Sequence, residues 1–183
     1  MNMGGFLEIE MGNDIGVCVL LSAYKPDLKF FAEQLDSIDK QTFPLTLLVR
    51  NDCPESDSLE RFIQAHITKN AYRYYHGDNN LGYVKSFEAL LSLAEGDYVV
   101  LCDQDDIWKK DKIEITFNKM KQAEERYGRD FPLLVHGDVE VIDENGNINA
   151  DSMFEMSHIN ADSKLPQILI QNHVTGCTMM CNK

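Results

Sequence analysis

Nearly continuous apolar runs alternate with stretches whose apolar residues recur every three or four positions. The first run, GVCVLLSAY from Gly16 to Tyr24, predicts a strand buried on both faces, as in a parallel sheet. KPD then breaks the run, Asp27 can cap a helix, and Leu28, Phe31, Leu35 and Ile38 fall on one helical face. PLTLLVR (Pro44 to Arg50) predicts the second strand, followed by the polar loop NDCPESDS and a helix carrying Leu59, Phe62, Ile63 and Ile67. AYRYYH is the third strand and GDNNLG a turn. A helix from Tyr83 to Ala94 then presents Val84, Phe87, Leu90 and Leu91. DYVVLC is the fourth strand, and after Trp108 a longer helix aligns Ile113, Phe117, Met120 and Tyr127. This β-α alternation predicts an α/β fold, a parallel sheet covered on both faces.

Beyond residue 130 the rhythm changes. FPLLVHGD reads as a further strand, VEVIDENGNI as a hairpin with a type I′ turn at Asn145-Gly146, SKLPQILIQN as a short helix and GCTMMC as a last strand. The abrupt stop at MMCNK, with no helix to cover that strand, reads as part of something longer.

Composition narrows the classes. The 183 residues, 44% hydrophobic and 26% charged, are enough for one soluble domain with a sizeable core. No stretch has the roughly 18 apolar residues of a membrane span, and MNMGGFLEIEMGND lacks the basic n-region of a signal peptide. Five scattered cysteines suit a reducing compartment, and Cys177 and Cys181 have no second pair with which to form a zinc site. With 30 acidic against 17 basic residues and no basic run, nucleic acid is not an expected partner.

In a parallel α/β sheet, ligands bind at the carboxyl ends of the strands. The polar residues gather there: Ser22-Ala23-Tyr24 after strand one, Asn51-Asp52 after strand two, the turn from Gly77 to Gly82 after strand three, and Asp103-Gln104-Asp105-Asp106 after strand four. If the chain stays extended through Asp105, Asp103 and Asp105 point to the same side, a hard-oxygen pair for a divalent cation. The alternative is that these acids cap the next helix, for which Asp106 alone would suffice. Lys85, Lys109 and Lys110 are the few cations near this edge, so a phosphorylated ligand would need a bridging metal to offset the acids.

The segments LLSAYKPDLKFFAEQLDSIDKQTF, VRNDCPESD, NNLGYVKSF and GDYVVLCDQDDIWKKDKIE, in this order, resemble the nucleotide-binding half of family 2 glycosyltransferases. The resemblance covers about Gly16 to Lys183. CDQDDIW, HGDVEVIDENGNI and NHVTGCTMMCN are closest to the rhamnosyltransferase-like branch, which builds bacterial cell-surface polysaccharide from donors such as dTDP-rhamnose. It implies a GT-A fold, a three-layer α/β/α sandwich with a mostly parallel central sheet, from residue 16 to 183 after an N-terminal extension of residues 1–15. It also implies an inverting transfer of the sugar of dTDP-rhamnose or a UDP-sugar to a glycan or lipid-linked acceptor. Mn²⁺ or Mg²⁺ would be the cofactor. The protein would act in the cytoplasm, at or near the inner face of the membrane.

The same resemblance assigns residues. Ser22, Ala23 and Tyr24 would line the base pocket, with Tyr24 stacking on the pyrimidine. Asp52 would accept the base imide N–H, and Asn80, Gly82 and Lys85 would approach the nucleotide. Asp103 would touch the ribose or sugar and share the metal with Asp105, while Trp108 packs. Each has a purely structural counterpart: a strand-end aromatic, an Asx turn, a helix entry. The family's usual Asp-Asp-Gly-Ser is here Asn51-Asp52-Cys53-Pro54, whose proline fixes φ and removes an N–H. His136 and Asp138 sit at a strand end, but the resemblance places the catalytic base after the GCTMM strand, beyond Lys183. Other readings are a nucleotide-sugar-binding module without catalysis, a nucleotidyltransferase (SAYKPDLKF has no glycine-rich phosphate loop) and a phosphoacceptor domain, which would need acids where strand one has Ser-Ala-Tyr.

Overall fold

The computed structural model describes residues 16–55, 58–160 and 165–183. The expected N-terminal extension lies outside these residues. The elements run β1 (Val17–Ala23), α1 (Leu28–Asp39), β2 (Thr46–Asn51), α2 (Leu59–His66), β3 (Ala71–His76), α3 (Tyr83–Leu93), β4 (Tyr98–Cys102) and α4 (Lys112–Tyr127). They continue as β5 (Leu134–Val135), β6 (Val141–Ile142), β7 (Ile148–Ala150), α5 (Met153–Met156), α6 (Leu165–Ile170), one 3₁₀ turn (Gly176–Thr178) and β8 (Met180–Asn182). The central sheet has the order β3-β2-β1-β4-β8-β5; β1 to β4 pair in parallel and β8 runs antiparallel between β4 and β5. This is an α/β fold with a mostly parallel sheet, as predicted.

Strand alternation divides the core. Val17, Val19, Leu21 and Ala23 of β1, with Leu47 and Val49 of β2, meet Phe31, Leu35 and Ile38 of α1, Ile63 of α2 and Phe117 and Met120 of α4. The other face, carrying Cys18, Leu20, Leu48 and Val99, is covered by α3 through Leu90 and Phe87. Asp27 caps α1 as expected, accepting from the Lys29 amide at 2.9 Å.

Several local expectations differ. On α3 the buried residues are Ser86 and Leu90, while Val84 and Leu91 are exposed. The helix is rotated because Ser86 accepts a hydrogen bond from Arg50 Nε of β2 at 3.3 Å. Leu28 and Tyr127, placed on the buried faces of α1 and α4, are also exposed; Glu124 is buried instead, accepting from the Tyr98 hydroxyl at 2.9 Å. FPLLVHGD yields only the two-residue β5, and GCT forms the 3₁₀ turn ahead of β8. The β6–β7 hairpin forms, but its turn is not type I′, since only Gly146 has a positive φ, +81°. The Gly146 amide closes on Asp143 O at 3.0 Å and Asp143 N on Asn147 O at 2.9 Å, a three-residue loop with glycine in the left-handed position.

The end of α1 grips the loop that follows β4. Ser37 Oγ accepts the Trp108 amide at 3.0 Å. Gln41, 1% exposed, donates through Nε2 to Lys109 O at 2.9 Å and accepts the Ile113 amide on Oε1 at 3.1 Å. The Thr42 amide donates to Lys110 O at 2.9 Å. The expected start of the long helix just after Trp108 moves to Lys112 because Gln41, an α1 neighbour, serves the Ile113 amide and fixes the chain before it.

Gln41→Leu removes these bonds while keeping an apolar side chain of similar size; it leaves the Ile113 N–H unpaired, while Lys109 O keeps only the Lys112 amide at 3.0 Å. The expected cost is about 2–3 kcal/mol, read as a lower urea midpoint with an unchanged slope. A loss below about 0.5 kcal/mol, the range of an ordinary surface change, would show that the loop is held by other contacts.

Candidate functional site

The carboxyl ends of β1, β2 and β4 lie side by side, since Ala23 pairs with Asn51 and Leu21 with Cys102. Beyond β4 the chain bends at Gln104 and Asp105 rather than staying extended. The Gln104 side chain reaches back across the edge, accepting the Tyr24 amide on Oε1 at 2.9 Å, with Nε2 3.5 Å from Tyr24 O. It continues the sheet pairing after both backbones have left it. The Tyr24 ring is 45% exposed, with the Lys25 ammonium 5.3 Å from its centroid. Ser22 is half-buried and Ala23 fully buried, so of these three only the Tyr24 side chain offers an open face at this edge.

The bend separates the acids. Asp103, Asp106 and Cys177 place one potential ligand atom each within 4.8 Å of one another, whereas Asp105 lines a cleft against α1. The side-by-side arrangement of Asp103 and Asp105 depended on an extended chain, and the bend removes that premise. Burial raises the Asp103 pKa above the usual carboxylate value, and the charges of Asp106 and then Asp105 push the same way. Asp106 has one buried oxygen, Oδ2, without a hydrogen-bond partner. Burial, then the charge of Asp106, pushes the Cys177 thiol up to about 12, so it stays neutral near pH 7 and is a poor ligand for a hard cation. The unpaired oxygen and the crowded carboxylates fit Mg²⁺ or Mn²⁺, which prefer oxygen donors. A cation is already built in beneath them: Lys112 Nζ donates to Cys177 O at 2.6 Å and lies 3.8 Å from the centroid of the buried Trp108 ring. Burial lowers the Lys112 pKa. The sequence reading named Lys85, Lys109 and Lys110; Lys85 is exposed, and Lys109 pairs with Glu140 at 2.5 Å. Lys112, Gln104 and Arg50 were missed, because their roles depend on contacts distant in sequence.

Asp52 differs most from its expected part. It is 2% exposed. Oδ1 accepts the Leu81 amide at 2.9 Å and faces Arg50 Nη2 at 3.4 Å; Oδ2 lies 3.1 Å from the Leu81 amide and 2.9 Å from that of Gly82. Three donors therefore engage this carboxylate, with the Leu81 amide shared between its two oxygens. Asp52 organises the loop before α3, where Asn80 Oδ1 also accepts the Gly82 amide at 2.8 Å and Gly82 takes a φ of +75° open to glycine. Asp52 and Asn80-Gly82 therefore come together through each other, and Asn80 stays exposed beside them. Asp138 is similarly engaged: its carboxylate accepts the Val139 amide at 2.8 Å, the Phe154 amide at 3.2 Å and the Ser152 hydroxyl. The His136 ring meets that of His173 at a tilt and that of Phe154 edge-on, at 5.4 Å and 6.1 Å between ring centroids.

The sequence profile of Glycosyl transferase family 2 matches residues 18–128, more than half of the chain. An uncharacterized glycosyltransferase of Methanocaldococcus jannaschii is 30% identical over 134 residues, 72% of this chain and 44% of its own length. Glycosyltransferase GlyG of Streptococcus pneumoniae is 26% identical over 97 residues, 52% of this chain and 32% of its own. The chain thus spans less than half the length of these curated relatives. Among solved structures, TarS 1-349 of S. aureus in complex with UDP-GlcNAc superimposes with a TM-score of 0.53 at 24% identity, over 58% of this chain and 31% of that one. TarS 1-349 with UDP gives a TM-score of 0.52. These likenesses establish the GT-A fold. No helix among the described residues is long and apolar enough to cross a membrane.

Asp52→Ala strips two backbone amides and the Arg50 guanidinium of their common acceptor in a buried place. It is expected to destabilise the protein by about 2–3 kcal/mol in urea unfolding, and to speed hydrogen exchange at Leu81, while Gly82 keeps Asn80 Oδ1 as an acceptor. Unchanged stability and exchange would show that this carboxylate has no structural task and would return it to the list of ligand-binding groups.

Proposed function

The chain belongs to glycosyl transferase family 2, and from that premise we propose that it forms the donor-binding part of an inverting glycosyltransferase acting on a nucleotide-diphosphate sugar. The observation that carries this reading is the carboxylate edge after β4: three acids in four residues, one with a buried unpaired oxygen, next to an exposed strand-end tyrosine. The donor is dTDP-rhamnose or a UDP-sugar, and the acceptor a cell-surface glycan or its lipid-linked precursor, encountered at the inner face of the membrane. The rhamnosyltransferase-like motifs CDQDDIW and NHVTGCTMMCN support the first of these donors.

Asp103 and Asp106 are the residues to hold Mg²⁺ or Mn²⁺, and Asp105 would join them only by turning back from the cleft across the bend; when bound, the ion would offset the charge of the departing diphosphate. Tyr24 supplies an aromatic face for the base, and the Gln104 bridge fixes it relative to the acids. Ser22 and Ala23 back Tyr24 from within the sheet, and Asn80, Gly82 and Lys85 approach the nucleotide from the opposite side. With Asp52 buried and engaged by its own loop, the base is recognised by stacking and by that loop's outward atoms, and Asp52 acts by positioning them. Lys112 lies under the acids and limits their mutual repulsion when no diphosphate is present.

Thermal unfolding with UDP, dTDP, GDP and ADP, each with and without Mn²⁺, tests the donor site. A pyrimidine diphosphate with metal at a hundredfold excess over Kd stabilises by about 2.7 kcal/mol, a rise in Tm of about 5–10 °C for a chain of this size. Asp103→Asn, at an exposed position, is expected to keep the unliganded Tm and lose the metal-dependent part of the rise. Equal shifts with all four nucleotides, or shifts indifferent to Mn²⁺, would refute the assignment.

A further inference from the structure

On the far side of the bend at Asp105, α1 and the β6–β7 hairpin face each other across a cleft of about 370 Å³. Its walls are Lys29, Phe30 and Glu33 of α1, Asp105 and Ile107 of the loop, and residues 142–146 of the hairpin. Lys29 ties the two walls together, donating to Glu144 O at 3.0 Å. Its ammonium also lies 5.0 Å from the Phe30 ring centroid, so the one cation lining the cleft among the described residues is already placed. Against it stand four carboxylates, on Glu33, Asp105, Asp143 and Glu144. The Asn147 side chain, with the amides of Asn147 and Asn145, holds the Asp143 pKa below the ordinary carboxylate value, so that charge persists. The apolar part of the lining comes from Phe30, Ile107 and Ile142, the last two 49% and 40% exposed.

We propose that this cleft binds a neutral saccharide, the end of the acceptor, and turns away sugars that carry phosphate or carboxylate. This rests on the glycosyltransferase reading above. A pyranose presents hydroxyls around its rim and patches of C–H on its faces. Carboxylates are acceptors only and match the hydroxyl rim, while an aromatic ring and two isoleucines match the faces. Its volume lies within the usual range for small-molecule sites, about 300–1,000 Å³. An anionic ligand would instead meet four like charges with one occupied lysine to offset them. Asp105 belongs to both this cleft and the acidic edge, so a sugar seated here has its rim beside the place proposed for the donor diphosphate.

The test is a set of ¹H–¹⁵N correlation spectra of the full chain. It is titrated to tens of millimolar with the methyl glycosides of glucose, galactose, rhamnose and N-acetylglucosamine. Methyl glucuronoside, glucose 1-phosphate and Ca²⁺ alone are run in parallel. At least one neutral glycoside is expected to shift the amides of Phe30, Glu33, Ile107 and Asn145, and the two anionic sugars to leave them in place. Phe30→Ala and Glu33→Gln, each checked for an unchanged melting temperature, are expected to weaken that response about tenfold, equivalent to 1.4 kcal/mol. The inference is overturned if no neutral glycoside moves these amides, if the anionic sugars move them equally, if the response survives in both variants, or if only Ca²⁺ produces it. Nucleotide stabilisation of the unmodified chain is measured on the same samples. Nucleotide binding without a sugar response sinks the cleft alone; a sugar response without nucleotide binding sinks the donor reading and leaves a saccharide site.

Discussion

The loop from Asp103 to Asp111 carries most of the candidate chemistry and has almost no regular structure of its own, so something else must hold it. The holder is a buried polar cluster at the carboxyl end of α1. Ser37 and Gln41 are 7% and 1% exposed, and they spend their hydrogen bonds on Trp108, Lys109 and Ile113. A backbone amide or carbonyl left unpaired in such a place costs about 1–3 kcal/mol, so alternative loop conformations that break these bonds are strongly disfavoured. Gln34 adds a contact to Cys102 Sγ at 2.7 Å, just before the acids. The first helix therefore sets where the carboxylates stand, although it contributes none of them.

Much of the fold was legible because it rests on periodicity. The first four strands and the helices between them are carried by runs such as VCVLLSA and by apolar residues three and four apart, and the parallel order follows from their alternation. Periodicity failed where a polar group outcompeted an apolar one for the buried face. On α3, Ser86 faces Arg50 and turns Val84 outward; on α4, Glu124 faces Tyr98 and leaves Tyr127 exposed. The Asn145-Gly146 pair announced a hairpin correctly, but the Asp143 side chain, bonded to the Asn145 and Asn147 amides, favours a turn with only Gly146 left-handed.

At the site, residue types were readable and partnerships were not. An Asp after a strand end is equally consistent with a ligand contact and with a loop clamp. For Asp52 the deciding facts are amides 29 and 30 positions away, at Leu81 and Gly82. Gln104 sat unremarked between two aspartates, yet its amide is the right length to bridge to Tyr24, 80 residues earlier. Lys112 was not among the cations expected near this edge. Only the packing of Trp108 and the carbonyl of Cys177 put its ammonium under the acids.

The bend at Gln104-Asp105 gives the acidic run a division of labour that an extended strand end would not. An extended chain would put Asp103 and Asp105 on one side and crowd like charges together. Bent, the chain sends Asp103 and Asp106 toward Cys177 on one side and Asp105 toward the α1 cleft on the other. Burial raises the Asp103 pKa above the ordinary carboxylate value, and the charges of Asp106 and Asp105 add to it. A metal-held diphosphate and a neutral sugar make opposite electrostatic demands. The first needs the acids' charge offset, the second needs it left available as hydrogen-bond acceptors. Three carboxylates split across a fixed bend can meet both demands from one short loop, with Asp105 at the boundary where a donor and an acceptor would have to meet.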